Sequence, residues 1–188
     1  GTAIVQIGTF SFVSGEIYDI SATTSSDCNP FNSTCEAGIV GTPLCGGYTI
    51  GGTAPDFPTF GAAAQALNTF GIDCSTIFYV RPGVYEEEVT FYQTAGASAT
   101  DTILFIGESL DSSLVSLTTQ SDNDLSYALT LSGANYITFR HIGIERMNSL
   151  PYAMLLTNNA DHVHFDNCKL GGVYKPENKS IFNVAFTN

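Results

Sequence analysis

The chain has 188 residues, enough for one domain plus a smaller appendage, and 44% of them are hydrophobic, which supplies a core. Charged residues make up only 13%, and the net charge is −12 with six Lys and Arg. So acidic a chain is repelled by phosphate backbones and anionic lipid heads, which excludes nucleic acid and membrane insertion from the expected partners.

The cysteines are Cys28, Cys35, Cys45, Cys74 and Cys168. Three lie in CNPFNSTCEAGIVGTPLC, which has no Cys-x-x-Cys pair and almost no His nearby. Zinc sites want closer Cys pairs or added His, so the spacing points to disulfides in an oxidising compartment. No signal-peptide pattern or bilayer-length apolar run is present, and the chain begins without Met. The expectation is a mature or excised portion of a longer secreted polypeptide, extracellular or on the cell surface. Asn32-Ser33-Thr34 and Asn178-Lys179-Ser180 match the N-glycosylation sequon, a pattern that also arises often by chance.

In chain order, AIVQIGTFSFVSGEIYDI alternates apolar and polar residues at strand period. SATTSSDCNPFNSTCEAG reads as loop, marked by Asn29-Pro30 and its Ser and Gly. Gly46-Gly47 and Gly51-Gly52 bracket Tyr48-Thr49-Ile50 and suggest a boundary, so residues 1–46 read as a disulfide-bearing appendage or the end of a preceding domain. A short helix follows. Asp56 or Thr59 serves as N-cap, Pro58 is tolerated in the first turn, and Gly71 supplies a left-handed stop. Phe60, Ala63, Ala64, Leu67 and Phe70 form its apolar stripe, and such a helix suits the end of a stack, where backbone edges would otherwise be bare.

From Thr76 onward, TIFYV, EVTFY, TILFIG, LVSLTT, YALTLS, YITFRHIGIER, YAMLLT, HVHFDNCKL and IFNVAF read as strands. YALTLSGANYITFRHIGIE aligns with YAMLLTNNADHVHFDNCKL: Ala128 over Ala153, Leu131 over Leu156, then Phe139 over Phe165 and Ile144 over Leu170. A period in the twenties without an internal helix marks a solenoid, and the leucine-rich frame is missing. The expected fold is all-β: a right-handed parallel β-helix over residues 47–188, with an N-terminal capping α-helix and a β/loop appendage. Phe78, Phe91, Phe105, Phe139 and Phe165 read as stacked core residues.

DFPTFGAAAQAL followed by TIFYVRPGVYEEEVTF resembles the opening block of pectinesterase-type and other pectin-lyase-like β-helix proteins. The longer string, from YTIGGTAPDFPTF through GASATDTILFIGES to SGANYITFRHIGI, is more similar still to β-helix modules of large secreted surface proteins and adhesins of gliding, Bacteroidota-type bacteria. The resemblance spans about residues 48–172 and implies a fold, since one such fold hosts lyases, esterases, adhesins and tailspikes. Pectinesterases carry two aspartates, glutamines and an arginine on neighbouring coils, one Asp in an Asp-Phe-Ile-Phe-Gly-like strand. No such strand occurs here, and Asp166 in HFDNCKL does not match it.

The best local constellation is Asp161-His162-Val163-His164-Phe165-Asp166. With Val163 and Phe165 inward, His162, His164 and Asp166 share the outer face. Two such His can chelate zinc, but Asp166 lies about 13 Å along the strand from His162, and Arg140 on the previous coil is its natural partner. Glu86-Glu87-Glu88 reads as a calcium pair or as a solvated turn, and Asp122-Asn123-Asp124 as an exposed loop. Tyr79, Tyr85, Tyr92 and Tyr136 read as a sugar-stacking strip or as ordinary surface tyrosines. Cys168 aligns with Ile142 and is expected to be a buried, unpaired thiol. Cys28, Cys35, Cys45 and Cys74 allow three connectivities, of which Cys28–Cys35 and Cys45–Cys74 are preferred, the second tying the appendage to the helix.

No catalytic set and no cofactor is expected. The expected role is a non-enzymatic structural or adhesive module of a large extracellular surface protein, contacting neighbouring subunits or glycans. The alternative is a carbohydrate-active enzyme, esterase or lyase, whose catalytic coils lie beyond Asn188.

Overall fold

The structure, a computed structural model, describes residues 18–23, 34–123, 125–147, 152–171, 173–174 and 184–187. The chain divides into two compact units, 1–43 and 44–188. In the first, β1 (Tyr18–Thr23) pairs antiparallel with β2 (Thr34–Val40). β1 begins at the end of the alternating stretch, and both strands extend into the stretch expected to be loop, where β-branched Thr23 and Thr34 suit a pleated backbone. Residues 3–17 of the stretch expected to be strand, and the proposed bond of Cys28 to Cys35, lie outside the described residues.

The second unit starts with β3 (Leu44–Ile50), then α1 (Phe60–Phe70), β4 (Ile72–Val80), β5 (Gly83–Glu86) and β6 (Val89–Tyr92). Next come β7 (Ile103–Gly107), β8 (Val115–Thr119), β9 (Leu129–Ser132), β10 (Asn135–Arg140), β11 (Gly143–Arg146) and β12 (Met154–Thr157). The last are β13 (Asp161–Asp166), β14 (Lys169–Leu170), β15 (Val173–Tyr174) and β16 (Val184–Thr187). They form three parallel sheets, ordered β16-β13-β10-β7-β4-β3, β14-β11-β8-β5 and β15-β12-β9-β6. The four circuits that begin at β4, β7, β10 and β13 each contribute one strand per sheet, with β3 and β16 extending the first sheet, which is a parallel β-helix. The boundary falls before Leu44 rather than after Gly46: β3 is already a strand of the first sheet, and Ile50 is fully buried.

Stacking of like on like fills the interior. In the first sheet, register places Tyr48 beside Phe78, then Phe105, Phe139 and Phe165, with ring centroids 5.7, 4.5, 5.3 and 5.4 Å apart. Each such pair adds about 0.5–1.5 kcal/mol beyond its buried area. Phe91 is not in this ladder. It belongs to β6 in the third sheet, above Leu131, and meets Phe105 edge-on at 5.2 Å. The aligned pairs Leu131/Leu156, Phe139/Phe165 and Ile144/Leu170 are true register partners.

α1 is built by the cues in its sequence. Thr59 Oγ1 accepts from the Ala62 amide, and Gly71 follows at φ 71°. Phe60, Ala63, Ala64, Ala66 and Leu67 are buried, while Phe70 is only partly so. The helix packs on β6, the last strand in its sheet's order. There the Asn68 side chain acts as a substitute strand: its Nδ2 donates to Thr90 O at 2.9 Å, and its Oδ1 accepts from the Tyr92 amide at 3.0 Å. Asp56 is not the N-cap. Its carboxylate accepts from both the amide and the hydroxyl of Thr49 at 2.7 Å, pinning the approach to the helix onto β3.

Cys45 in β3 and Cys74 in β4 are disulfide-bonded, with Cα atoms 4.9 Å apart. The bond therefore staples two adjacent coils of the second unit instead of tying the appendage to the helix. It closes a span of 29 residues that contains α1, for which loop closure contributes about 3–4 kcal/mol. Replacing both cysteines by Ala should lower the melting temperature by roughly 6–12 °C with the far-ultraviolet spectrum retained. An unchanged melting temperature would show that the staple constrains nothing.

Candidate functional site

The longest sheet presents its outer face through residues that alternate with the phenylalanine ladder. One row runs Ile77, Leu104, Thr138, His164; the next runs Tyr79, Ile106, Arg140, Asp166. The face is thus apolar near β4 and β7 and polar over β10 and β13. Val163 and Phe165 are buried, which sends His164 and Asp166 outward. Arg140 Nε donates to Asp166 Oδ2 at 2.7 Å, an ion pair bridging two coils.

Tyr136 and His162 depart from regular strand geometry. Both hold left-handed backbones, at φ 52° and 50°, and their rings stack with centroids 4.5 Å apart. His162 Nδ1 lies 3.2 Å from Asp161 Oδ2, and its amide donates to Asp161 Oδ1 at 2.8 Å. His162 and His164 line one concavity of about 240 Å³ with Ala99, Thr102, Tyr136 and Thr138. Among the described residues no three His, Cys, Asp or Glu side chains come together as metal ligands, so the two histidines lack the third donor that a zinc site needs.

A second concavity, about 440 Å³, is lined by Leu110, Asp111, Ser112, His141, Asn167 and Cys168. A carboxylate, an imidazole and a thiol in one place invite a nucleophilic reading, but the thiol is unsuited to it. Cys168 Sγ donates to Phe139 O at 3.3 Å, and burial above all pushes its pKa up, whereas a nucleophile needs thiolate. Asp111 accepts from the Ser113 hydroxyl at 2.7 Å and amide at 2.9 Å, and these bonds hold its pKa down. Cys168 is free but only partly buried, more open than its alignment with Ile142 suggested.

In the Glu86-Glu87-Glu88 run Glu86 and Glu88 are exposed and Glu87 is half-buried, and each has its own partner. Glu87 accepts from the amides of Phe60 and Gly61 at 3.1 and 2.8 Å, so it supplies the acid that the first turn of α1 lacks. Glu86 accepts from Gln120 at 2.7 Å and Glu88 from the Thr119 hydroxyl at 3.1 Å, each reaching the next coil. Glu87 was hidden from sequence reasoning because its partners lie 26 and 27 residues away; the missing acid in the helix was the available signal. Asn123 belongs to a loop held by Arg146, which donates to the carbonyls of Ser121, Asn123, Ser126 and Tyr152.

The tyrosines do not form one strip. Tyr79 and Tyr92 are exposed, but Tyr85 is buried, with its ring edge-on to Phe60 at 5.1 Å. Its hydroxyl donates to Arg81 O at 2.8 Å and lies 3.2 Å from Ile50 O, and burial raises its pKa. Gly51, at φ 73°, leaves room for it: a Cβ there would meet the Tyr85 hydroxyl at 2.1 Å.

No protein-family model matches the chain, and no curated protein matches it. Among solved structures it is similar to the pectin methylesterase of Aspergillus niger, at 16% identity and a TM-score of 0.49. The match covers 75% of this chain and 55% of that one, so the chain spans about half the enzyme's length.

The two Thr49 bonds, the side-chain one foremost, hold the Asp56 pKa below the ordinary aspartate range. A depressed pKa contributes stability above the unfolded value of about 4, and that contribution is lost as pH falls through the folded value. Asp56→Asn should therefore melt slightly below the parent at pH 7, the exposed position keeping the gap small, and the gap should narrow as pH falls below about 4. A gap independent of pH would mean that the charge of Asp56 plays no part.

Proposed function

We propose that the chain is a non-enzymatic structural module of an extracellular surface protein, a β-helix sealed at one end by α1 that meets neighbouring subunits or glycans through its outer faces. The observation that carries this reading is where the ionisable side chains go. Glu86, Glu87 and Glu88 bind three different structural partners; Arg140 and Asp166 join two coils, as do Lys169 and Glu145 at 2.9 Å. Arg81 donates to the carbonyls of Gly51 and Thr53, and Arg146 gathers a loop. Hydrolytic or eliminative chemistry on polysaccharides needs carboxylates poised with shifted acidity around a reacting atom, and here the charges serve as ties between coils.

The disulfide supports an oxidising, extracellular setting, and no helix among the described residues is long and apolar enough to cross a membrane. The acidic composition keeps such a surface soluble and disfavours polyanionic partners.

Incubation with pectin and a panel of other uronates tests the reading, following methanol release, new reducing ends and absorbance of unsaturated products. The expected result is no signal above a protein-free blank. Turnover of any member would overturn it in favour of an esterase or lyase.

A further inference from the structure

We propose that the concavity on the outer face of the longest sheet, lined by Ala99, Thr102, Tyr136, Thr138, His162 and His164, binds a single neutral sugar unit of a glycan. The assignment rests on the glycan-contact part of the proposed function and names its site and ligand class.

Register builds the site from three successive coils. Ile103, Ile137 and Val163 are partners, which places Thr102, Tyr136 and His162 in one row just ahead of them. Thr138 and His164 form the row on the other side. A left-handed backbone costs an L residue roughly 1–2 kcal/mol, and Gly would relieve it at either corner. The chain instead carries an aromatic ring at both, locked by mutual stacking and by the bonds of His162 to Asp161. Backbone strain held in this way persists where the surrounding sheet over-determines it and is common at ligand clamps.

The donor set suits a polyol. Three hydroxyls, from Thr102, Thr138 and Tyr136, each donate and accept, and the imidazoles of His162 and His164 add ring nitrogens able to do either. Sugar hydroxyls also do both, so the two surfaces match without a formal charge on either. Ala99 and the threonine methyls give the apolar contact that C–H faces of a sugar ring require. About 240 Å³ is below the size of a drug pocket, roughly 300–1,000 Å³, and suits one ring with its neighbours outside.

Charge selects against acidic sugars. Arg140, one row from Thr138 and His164 on the same face, is bound to Asp166 at 2.7 Å, and Asp161 adds a carboxylate beside His162. With the chain at −12 overall, a uronate would meet repulsion that a neutral hexose escapes. Few atoms in a shallow site give weak binding, with a dissociation constant on the order of 1–10 mM for one unit.

The test is a titration of the whole chain, followed by amide nuclear magnetic resonance shifts, with neutral oligosaccharides (glucan, mannan, galactan) and with oligogalacturonate. At least one neutral series should shift amides at 136–138 and 162–164. His164→Ala should weaken that binding about tenfold and Thr138→Val about fivefold, while Thr130→Val, on the third sheet, should leave it unchanged. His164 is exposed, so its variant does not threaten folding. Neutral-sugar binding unaffected by both site variants would overturn the site yet leave glycan contact standing. Preference for oligogalacturonate would overturn the ligand class. No binding of any neutral series at about 50 mM would overturn both site and glycan contact, leaving the structural module to be judged by the turnover assay.

Discussion

A parallel stack satisfies its backbone only between coils, so its first coil leaves a row of amides and carbonyls with nothing beyond. The rest of this solenoid depends on how that row is met. At β6 the amide of Asn68 offers one donor and one acceptor at the spacing of a neighbouring strand. Both bonds lie at the exposed rim of the sheet, where each is worth about 0.5–1.5 kcal/mol at most. The same helix brings Phe60 against Phe105 and Tyr85, at ring-centroid distances of 5.9 and 5.1 Å.

Helix placement in turn depends on contacts from both sides. Asp56 and Phe57 bind back to β3, through Thr49 and through the Gly51 amide, and fix where the helix begins. Glu87 reaches from the following coil to the first amides of the helix, adding an acid at the positive end of its dipole. Cys45–Cys74 then locks the strand before the helix to the strand after it. Acidic residues that look like a surface cluster in this way position the helix. That commitment is also why they are poor candidates for catalysis.

Much of the solenoid was legible because its strongest signal is repetition. Phe139 and Phe165 lie 26 residues apart and share a register, and their neighbours follow. The preceding interval was not legible: Phe105 and Phe139 are also partners but lie 34 apart, because the loops around β8 are longer. The glycines flanking Tyr48 mark a boundary in sequence, yet Gly46 lies within a strand of the first sheet, at an irregularity of its register, and Gly51 and Gly52 take left-handed φ just after it. Phe91 was placed in the ladder by residue type alone, which cannot tell one sheet of a coil from another. At the candidate site, alternation correctly placed His164 and Asp166 outward and paired Arg140 with Asp166. It could not foresee the left-handed corners at Tyr136 and His162, because nothing local demands them in a Tyr or a His. Glu87 was missed for a related reason: its role exists only once two coils are stacked.

Hydrogen exchange of individual amides in the intact chain tests the proposed seal by α1 most directly. The amides of Tyr92, Phe60 and Gly61 donate to the side chains of Asn68 and Glu87 in this arrangement. They should exchange as slowly as amides inside the stack, such as that of Leu131. Exchange of Tyr92 at the rate of an exposed loop amide would mean that the helix does not close the edge of β6, and the end of the stack would be open.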